Sequence, residues 1–359
     1  MSEREDSPNK MSPAWQMTHM IWGVMPSQAI CVAAKLGIAD LLANGRKTAN
    51  ELAESTKTHV GALRRLLRAL TSLKIFGEDA NGGYSNTTLS ETLRSDHPHS
   101  VRALAMIWGR SVFLQPWENL DTAVATGLPA FDHLFREPFF EYLLRHSEDA
   151  SIFNAAMSAS TAVDLSAVLV AYDFSRFQRI VDVGGGRGAF LRGILSATPN
   201  LRGVLYDLPS VVAGADTLRA SDMAERCEVQ SGSFFEAVPQ GADGYLLKRI
   251  IHDWDDEASL KILRNCRRAI HPEGTLLIVE RVLKPPNEPD FGKFMDLHML
   301  LLLGGRERSE PEFSALLREA RFSLTRVIPT PGPHSIVESK PLSDRTVFGR
   351  RLGSATPRY

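Results

Sequence analysis

Cysteine is scarce in this chain: three in 359 residues, Cys31, Cys227 and Cys266. None sits at the spacing of a metal knuckle or a redox pair, which leaves no disulfide framework and points to a reduced, cytoplasmic compartment. An excess of charge of one sign is missing too. Forty-one Lys and Arg stand against forty-two Asp and Glu, a net charge of -1, so nothing pulls the chain generally towards nucleic acid or anionic lipid. No uninterrupted apolar run is long enough to span a bilayer, and the polar segment Met1 to Pro13 holds no apolar signal core. Neither a membrane nor a nucleic acid is therefore expected as a partner. Residues 343–359 contain Arg and Gly with little periodicity and read as a flexible tail. What is left, 43% hydrophobic and 23% charged, is the composition of an ordinary globular protein with about two domains.

Glycine, by contrast, is concentrated. Val181-Asp182-Val183-Gly184-Gly185-Gly186-Arg187-Gly188 carries a short apolar run into a cluster of glycines. Phe190, Leu191, Ile194 and Leu195 follow at spacings that share one helix face. The pattern predicts a strand, a tight turn and a helix N-terminus. Glycines there permit positive φ and close approach of a ligand to the main chain. The unpaired N–H groups of the first helical turn favour an anionic group. About twenty residues on, the apolar run from Gly203 to Tyr206 ends in Asp207, placed to accept hydrogen bonds from a ribose diol. The chain thus reads as a nucleoside-cofactor binder.

Gly184, Gly186 and Ala189 also satisfy the dinucleotide fingerprint, so the motif alone leaves a nicotinamide enzyme open. Two features favour S-adenosylmethionine. Asp182 lies inside the strand end, where it can meet an ammonium or orient the loop, and the motif sits mid-chain behind a long helical half.

That half has an order of its own. Ile30 to Leu42 is apolar and helix-like, Thr48 to Glu54 carries a capping box through Thr48 and Glu51, and His59 to Leu73 repeats leucine at helical spacing. Strands follow near 74–78 and 84–87 around Asn81-Gly82-Gly83. Helices followed by a hairpin are the order of a winged helix, whose third helix carries Arg64, Arg65 and Arg68. The basic cluster is small, and packing on a twin subunit is the expected use of this domain. The chain looks helical from Pro116 to Leu169, with a break at Gly127-Leu128-Pro129.

Beyond it, strands near 179–183, 203–207, 227–232, 244–249 and 275–282 alternate with helices near 188–197, 209–220, 256–270, 291–303 and 310–320. Two last strands, 323–328 and 334–339, flank Pro331-Gly332-Pro333. Alternation implies a mainly parallel sheet covered on both faces, and the closing hairpin forces one antiparallel strand. Ligands bind beyond the C-terminal strand ends of such sheets. Tyr245 to Ile251 runs there directly into His252-Asp253-Trp254-Asp255-Asp256. Glu280 ends the next strand on the same rim, and Glu307 lies in Gly304-Gly305-Arg306-Glu307-Arg308. A carboxylate beside an imidazole fixes its tautomer and raises its basicity, so His252 reads as a general base.

With these motifs in order, the chain resembles the S-adenosylmethionine-dependent O-methyltransferases, the family of the plant caffeate and flavonoid enzymes and of bacterial natural-product tailoring enzymes. The resemblance spans residues 14 to 340 and rests on Val181 to Gly188, Tyr206-Asp207-Leu208-Pro209, Lys248 to Asp255, and Gly304 to Arg308 with Pro311-Glu312-Phe313. It implies an α/β fold: a class I methyltransferase Rossmann-like sheet with an N-terminal, mainly α, winged-helix-like dimerisation domain. The expected division is 14–100 for dimerisation and 101–342 for the methyltransferase domain, with linking helices over 101–170.

The resemblance further implies S-adenosyl-L-methionine as cofactor, S-adenosyl-L-homocysteine as product, no metal, a homodimer and a small aromatic hydroxylated substrate. Asp182, Gly184, Gly185, Gly186, Asp207, Leu208 and Lys248 would hold the cofactor. Ser233 and Phe234 would meet the adenine, where plant members carry Asp-Met. His252 would be the base, with Glu280 and Glu307 flanking it. Candidate walls of the acceptor pocket are Trp108, Phe113, Phe153, Met157, Met295 and Met299. The same fold used for assisted decarboxylation or hydroxylation, a non-enzymatic winged-helix regulator and a nicotinamide dehydrogenase remain as alternatives.

Overall fold

The computed structural model describes residues 11–219 and 223–343. The expected tail beyond Ser343 and residues 1–10 lie outside the described residues. The chain forms two compact units. One takes the described residues through Leu114 with His146–Ser160, and the other takes Gln115–Arg145 with those from Thr161 onward.

In the first unit, helices Val24–Leu36, Ala49–Thr56 and Val60–Ser72 are followed by antiparallel strands Phe76–Glu78 and Gly83–Asn86. The Thr48 side chain accepts from Glu51 N–H while Glu51 accepts from Thr48 N–H at 2.6 Å, which starts the second helix. Leu63, Leu67 and Leu70 bury one face of the third helix against Leu52, Phe76 and Tyr84. A third strand, Lys47–Thr48, pairs with Gly83 and Tyr84. Two residues are too short to show an alternation, so it has no signature in the sequence. The arrangement is a winged helix. Helix Pro13–Ile21 buries none of its residues, and Trp15, Met17, Met20 and Ile21 are exposed.

The second unit is built on a seven-stranded sheet. Its strands are β1 (Arg179–Val183), β2 (Arg202–Asp207), β3 (Cys227–Ser231), β4 (Gly244–Lys248), β5 (Thr275–Glu280), β6 (Phe322–Pro329) and β7 (Ser335–Pro341). They lie in the order 6-7-5-4-1-2-3. Strands β1 to β5 are mutually parallel, and β7 alone runs against them, paired with β5 and β6. Alternate residues bury opposite faces. Val181, Val183, Val204 and Tyr206 meet helices Asp256–Ala269 and Glu310–Glu319 on one side. Ile180, Leu205, Leu246 and Val279 meet helix Ala189–Ala197 and the end of helix Ser147–Ala171 on the other. Because β1 to β5 point the same way, Val183, Asp207, Lys248 and Glu280 end on one rim.

One expected helix is broken, and a region expected to be helical with a break at Gly127-Leu128-Pro129 is divided there and at further points. The stretch 209–220 forms two short helices, Pro209–Val212 and Asp216–Arg219, and residue 220 is outside the described residues. The region 116–169 is a chain of short helices before Ser147–Ala171, turned by left-handed Gly127 (φ 71°) and Arg136 (φ 61°). Ser147–Ala171 is long and apolar enough to cross a membrane. It nevertheless places Leu165, Val168 and Leu169 in the sheet core.

The capping box gives a direct test of the first unit. Thr48→Ala is expected to cost about 1 kcal/mol and to lower the urea midpoint of that unit. An unchanged midpoint would show that the box contributes nothing.

Candidate active site

The glycine loop leaves β1 with Gly184 at φ 71°, Gly186 at φ 64° and Gly188 at φ 82°. The Gly184 N–H returns to the Tyr206 carbonyl (2.8 Å), tying the loop to β2. A Cβ on Gly184 would run into Ile250 and reach Phe234, and one on Gly185 would run into Asp182 and Leu205. Above Gly186 there is open space, which is where a ligand can lie against the main chain. Asp207 closes the far side: its Oδ2 accepts from Gly186 N–H (2.8 Å) and its Oδ1 from Leu208 N–H (2.7 Å). Burial lifts the Asp207 carboxyl above its ordinary value, against those two bonds. Leu208 beside it is half exposed. Phe234 stands edge-on to Phe235 (4.9 Å) and Trp254 (6.2 Å), while Ser233 Oγ caps the Phe235 N–H.

Under the loop lies a buried ionic row. Asp182 is 1% exposed and its Oδ2 has no hydrogen-bond partner, so burial pushes its pKa up to about 7 although Lys248 opposes the shift. Lys248 donates to Thr161 Oγ1 (2.9 Å), lies 3.4 Å from Asp164 and sits over the Phe190 ring. Burial and Arg249 bring its pKa down to about 8, with Asp164 resisting. The other oxygen of Asp164 contacts His334 Nδ1 at 2.7 Å. Sequence singles out Asp182 and Lys248 of this row but gives no hint of Asp164 and His334, which lie far apart in the chain.

His252 sits in a single helical turn, Ile251–Asp253, after β4. The ring is buried, with Nδ1 3.0 Å from Glu307 Oε1 and Nε2 3.3 Å from Asp253 Oδ1. Carboxylates face both nitrogens and favour the imidazolium; in the neutral ring the shorter contact, to Glu307, favours the proton on Nδ1. Burial disfavours the imidazolium, but Asp253 and Glu307 outweigh it and lift the pKa to about 9. Glu280 does not reach the ring. Its Oε1 accepts from the N–H groups of Ile250 (3.0 Å), Ile251 (2.6 Å) and His252 (3.1 Å), gathering the turn from below. Its other oxygen has no hydrogen-bond partner, and burial pushes its pKa up to about 7.

The loop with Glu307 is pinned by a short parallel pairing, Arg308 with Val282 and Ser309 with Leu283. Arg306 N–H donates to the His252 carbonyl (2.9 Å), and a side chain on Gly305 would collide with that same carbonyl. Asp296 accepts from Glu307 N–H (2.8 Å). On the helix carrying Met295 and the buried Met299, His298 accepts from the Trp117 indole N–H (3.2 Å). Burial, with His252 and Arg249 nearby, drops the His298 pKa to about 3 and keeps it neutral. The remaining acceptor candidates belong to the first unit. There Phe113 packs against Trp108 (5.7 Å) and Phe153 (6.5 Å), and Met157 is half-buried one turn further on. Among the described residues no group of three or more His, Cys, Asp or Glu could hold a metal ion.

The O-methyltransferase domain model matches residues 117–323, and the O-methyltransferase dimerisation domain model matches 18–96. The chain belongs to the O-methyltransferase family. It is 42% identical over 327 residues to a phenazine O-methyltransferase of Lysobacter antibioticus, covering 91% of this chain and 96% of that one. It is 36% identical over 312 residues to an 8-amino-8-demethylriboflavin N,N-dimethyltransferase of Streptomyces davaonensis, covering 86% and 89%. The neocarzinostatin O-methyltransferase, solved with S-adenosylmethionine and 2-hydroxy-5-methyl naphthoic acid, superposes with a TM-score of 0.74 at 34% identity over 88% of this chain and 96% of that one.

This O-methyltransferase is therefore an S-adenosylmethionine-dependent enzyme of natural-product tailoring and a homodimer with a class I sheet. The residues present suit the cofactor. The space over Gly186 admits it, and the buried Asp182 oxygen that lacks a hydrogen bond lies beneath the loop.

Asp182 gives the test. Asp182→Asn removes a buried charge, so the ligand-free protein is expected to melt no lower than the parent, while affinity for S-adenosylhomocysteine falls. Such opposition of stability and function is usual where a site stores unfavourable charge. A lower melting point with unchanged affinity would assign Asp182 a purely structural part.

Proposed function

We propose that this enzyme methylates a hydroxyl of an aromatic or polyketide-like small molecule, with His252 as the general base. The observation that carries this reading is a buried imidazole whose Nδ1 is held by Glu307 at 3.0 Å, the shorter of its two carboxylate contacts. Nε2, beside Asp253 at 3.3 Å, would then be the atom that takes the acceptor proton once the ring is neutral.

Asp207 would bind the ribose hydroxyls, since each of its oxygens keeps a lone pair beyond the one used by Gly186 or Leu208. Leu208 would cover the adenine, with Phe234 stacking on it and Ser233 at its edge. Gly184, Gly185 and Gly186 would hold the amino-acid end, with Asp182 and Lys248 beneath. Bound there, the cofactor supplies a methyl group already activated on a sulfonium. The protein's own part is to orient the acceptor, exclude water and accept one proton at Nε2. A phenol, with a pKa near 10 by analogy with tyrosine, is a weak nucleophile until that proton leaves. Met295 and Met299 would wall the acceptor pocket on the side of the second unit. A dry apolar wall favours a step in which phenolate and sulfonium charges cancel. Phenazine and naphthoate relatives point to a fused aromatic acceptor. An aromatic amine is the second reading, favoured by the flavin relative. Free, buried thiols at Cys31, Cys227 and Cys266 fit a reducing cytoplasm.

The decisive assay offers hydroxyphenazines, hydroxynaphthoates and aminoflavins with S-adenosylmethionine. His252→Ala should lower turnover by about 10²–10⁴ while S-adenosylhomocysteine still binds; undiminished turnover would remove the base assignment. Asp207→Ala should weaken that ligand by about tenfold or more, and equal affinity would reject the ribose role. The pH profile is a further check. His252 is mostly protonated below a pKa of about 9 and must be neutral to act. In the free enzyme kcat/KM should thus rise about tenfold per pH unit towards 9 and level above it. A profile flat from neutrality upward would contradict this.

A further inference from the structure

Arg308 is 1% exposed and heads the largest fully buried side chains of the described fold. An enclosed cation is costly unless paired and hydrogen-bonded throughout. Here the pairing is directed at the turn that carries His252. Arg308 Nη1 donates to the carbonyls of Ile251 (3.0 Å) and Arg306 (3.3 Å). Nη2 donates to the Trp254 carbonyl (3.1 Å), to Ser259 Oγ (3.2 Å) and to Asp256 Oδ1 (2.7 Å), and Nε donates to the same carboxylate oxygen at 3.1 Å. The Ile251 and Trp254 carbonyls bracket His252 and Asp253. On the opposite side one Glu280 carboxyl oxygen gathers three consecutive N–H groups of the turn. The turn is thus held at its N–H groups by a buried carboxyl group and at its carbonyls by a buried cation. It needs such holding, because Arg249 just before it takes a left-handed φ of 55°.

We propose that Arg308 is a positioning residue for methyl transfer: by spanning the Ile251 and Trp254 carbonyls it fixes the turn so that the His252 ring stands between Glu307 and Asp253. This rests on the reading of His252 as the base. A planar guanidinium can bridge two carbonyls and a carboxylate at once, whereas a lysine ammonium brings the same charge to a single point. Arg308→Lys therefore keeps the charge and loses the span. Without the span the ring drifts from its two carboxylates, and the influences that hold its proton weaken. The other titratable or charged groups facing it stay in place: Glu280 from β5, the neutral His298 from its helix and Arg249 just after β4.

The test is an NMR titration of histidine-labelled full-length protein saturated with S-adenosylhomocysteine, over about pH 6 to 10, with His252→Asn to assign the resonance. In Arg308→Lys the His252 titration should fall by about one unit or more towards the ordinary histidine value. Turnover of the acceptor found in the assay above should drop by about 10- to 100-fold with little change in its KM. Affinity for S-adenosylhomocysteine should stay within about twofold, since no contact of Arg308 reaches the glycine loop. An unmoved His252 titration in a folded variant overturns the proposal. If Arg308→Lys does not fold, Asp256→Asn serves, because it removes one anchor of the guanidinium from an exposed position. It should shift the titration the same way by less, and no shift overturns the proposal. Failure of the base reading would show separately, as full turnover in His252→Ala while the Arg308 variants still move the ring's titration.

Discussion

Three successive N–H groups converging on one buried carboxylate oxygen, that of Glu280, hold the site together. A turn that leaves a parallel strand has main-chain donors with no strand left to pair with, and buried donors must find partners. Glu280 supplies them from the end of the neighbouring strand. The register of β4 on β5, with Lys248 beside Val279, delivers the carboxylate to that spot. The His252 carbonyl is taken by the Arg306 N–H, and the flanking carbonyls by Arg308, both from the loop that also brings Glu307 to the ring. Sheet register, turn and loop are therefore one unit, and the imidazole is aimed by backbone contacts as much as by its own.

Such a site holds charge in costly places. Asp182 and Glu280 are both about 1% exposed, each has an oxygen without a hydrogen bond, and burial raises both towards neutrality in pKa. Elsewhere in the core similar groups are fully answered. Glu338 takes the Tyr172 hydroxyl (2.7 Å) and two arginines, and burial is outweighed so that its pKa falls below the ordinary carboxylate value. The contrast separates a carboxylate whose partners answer its charge from two that stay only partly answered, one under the glycine loop and one under the His252 turn.

The first unit answers to a different constraint. Its winged helix has a closed core of leucines, yet helix Pro13–Ile21 leaves tryptophan, methionine and isoleucine exposed. A stretch this apolar on a free surface marks an interface, which agrees with a dimerisation domain over 18–96. The third helix carries exposed Arg64, Arg65 and Arg68 on the face away from that core. Three arginines on a helix of a nearly neutral chain suit solvation of an outer face rather than a nucleic-acid partner.

The chain by itself determined whatever depends on local order. Alternation and glycine spacing placed β1 with its loop, and the run of strand and helix set the parallel sheet with its single reversed strand. Thr48 with Glu51 set a helix start, and the run into His252-Asp253-Trp254 marked the candidate for a base. These are patterns of neighbours in sequence, where backbone preference and burial period act within a few residues. Tertiary structure decided the rest. That Glu280 binds the turn and not the ring, and that Arg308 clamps the same turn from the other side, follows from register and loop closure. The placement of Asp164 between Lys248 and His334 follows from the packing of a helix and a hairpin on the sheet. Each of these contacts joins residues about thirty to 170 positions apart in the chain. No local preference encodes such partners, because the energy that selects them exists only once the sheet has assembled and water has been expelled.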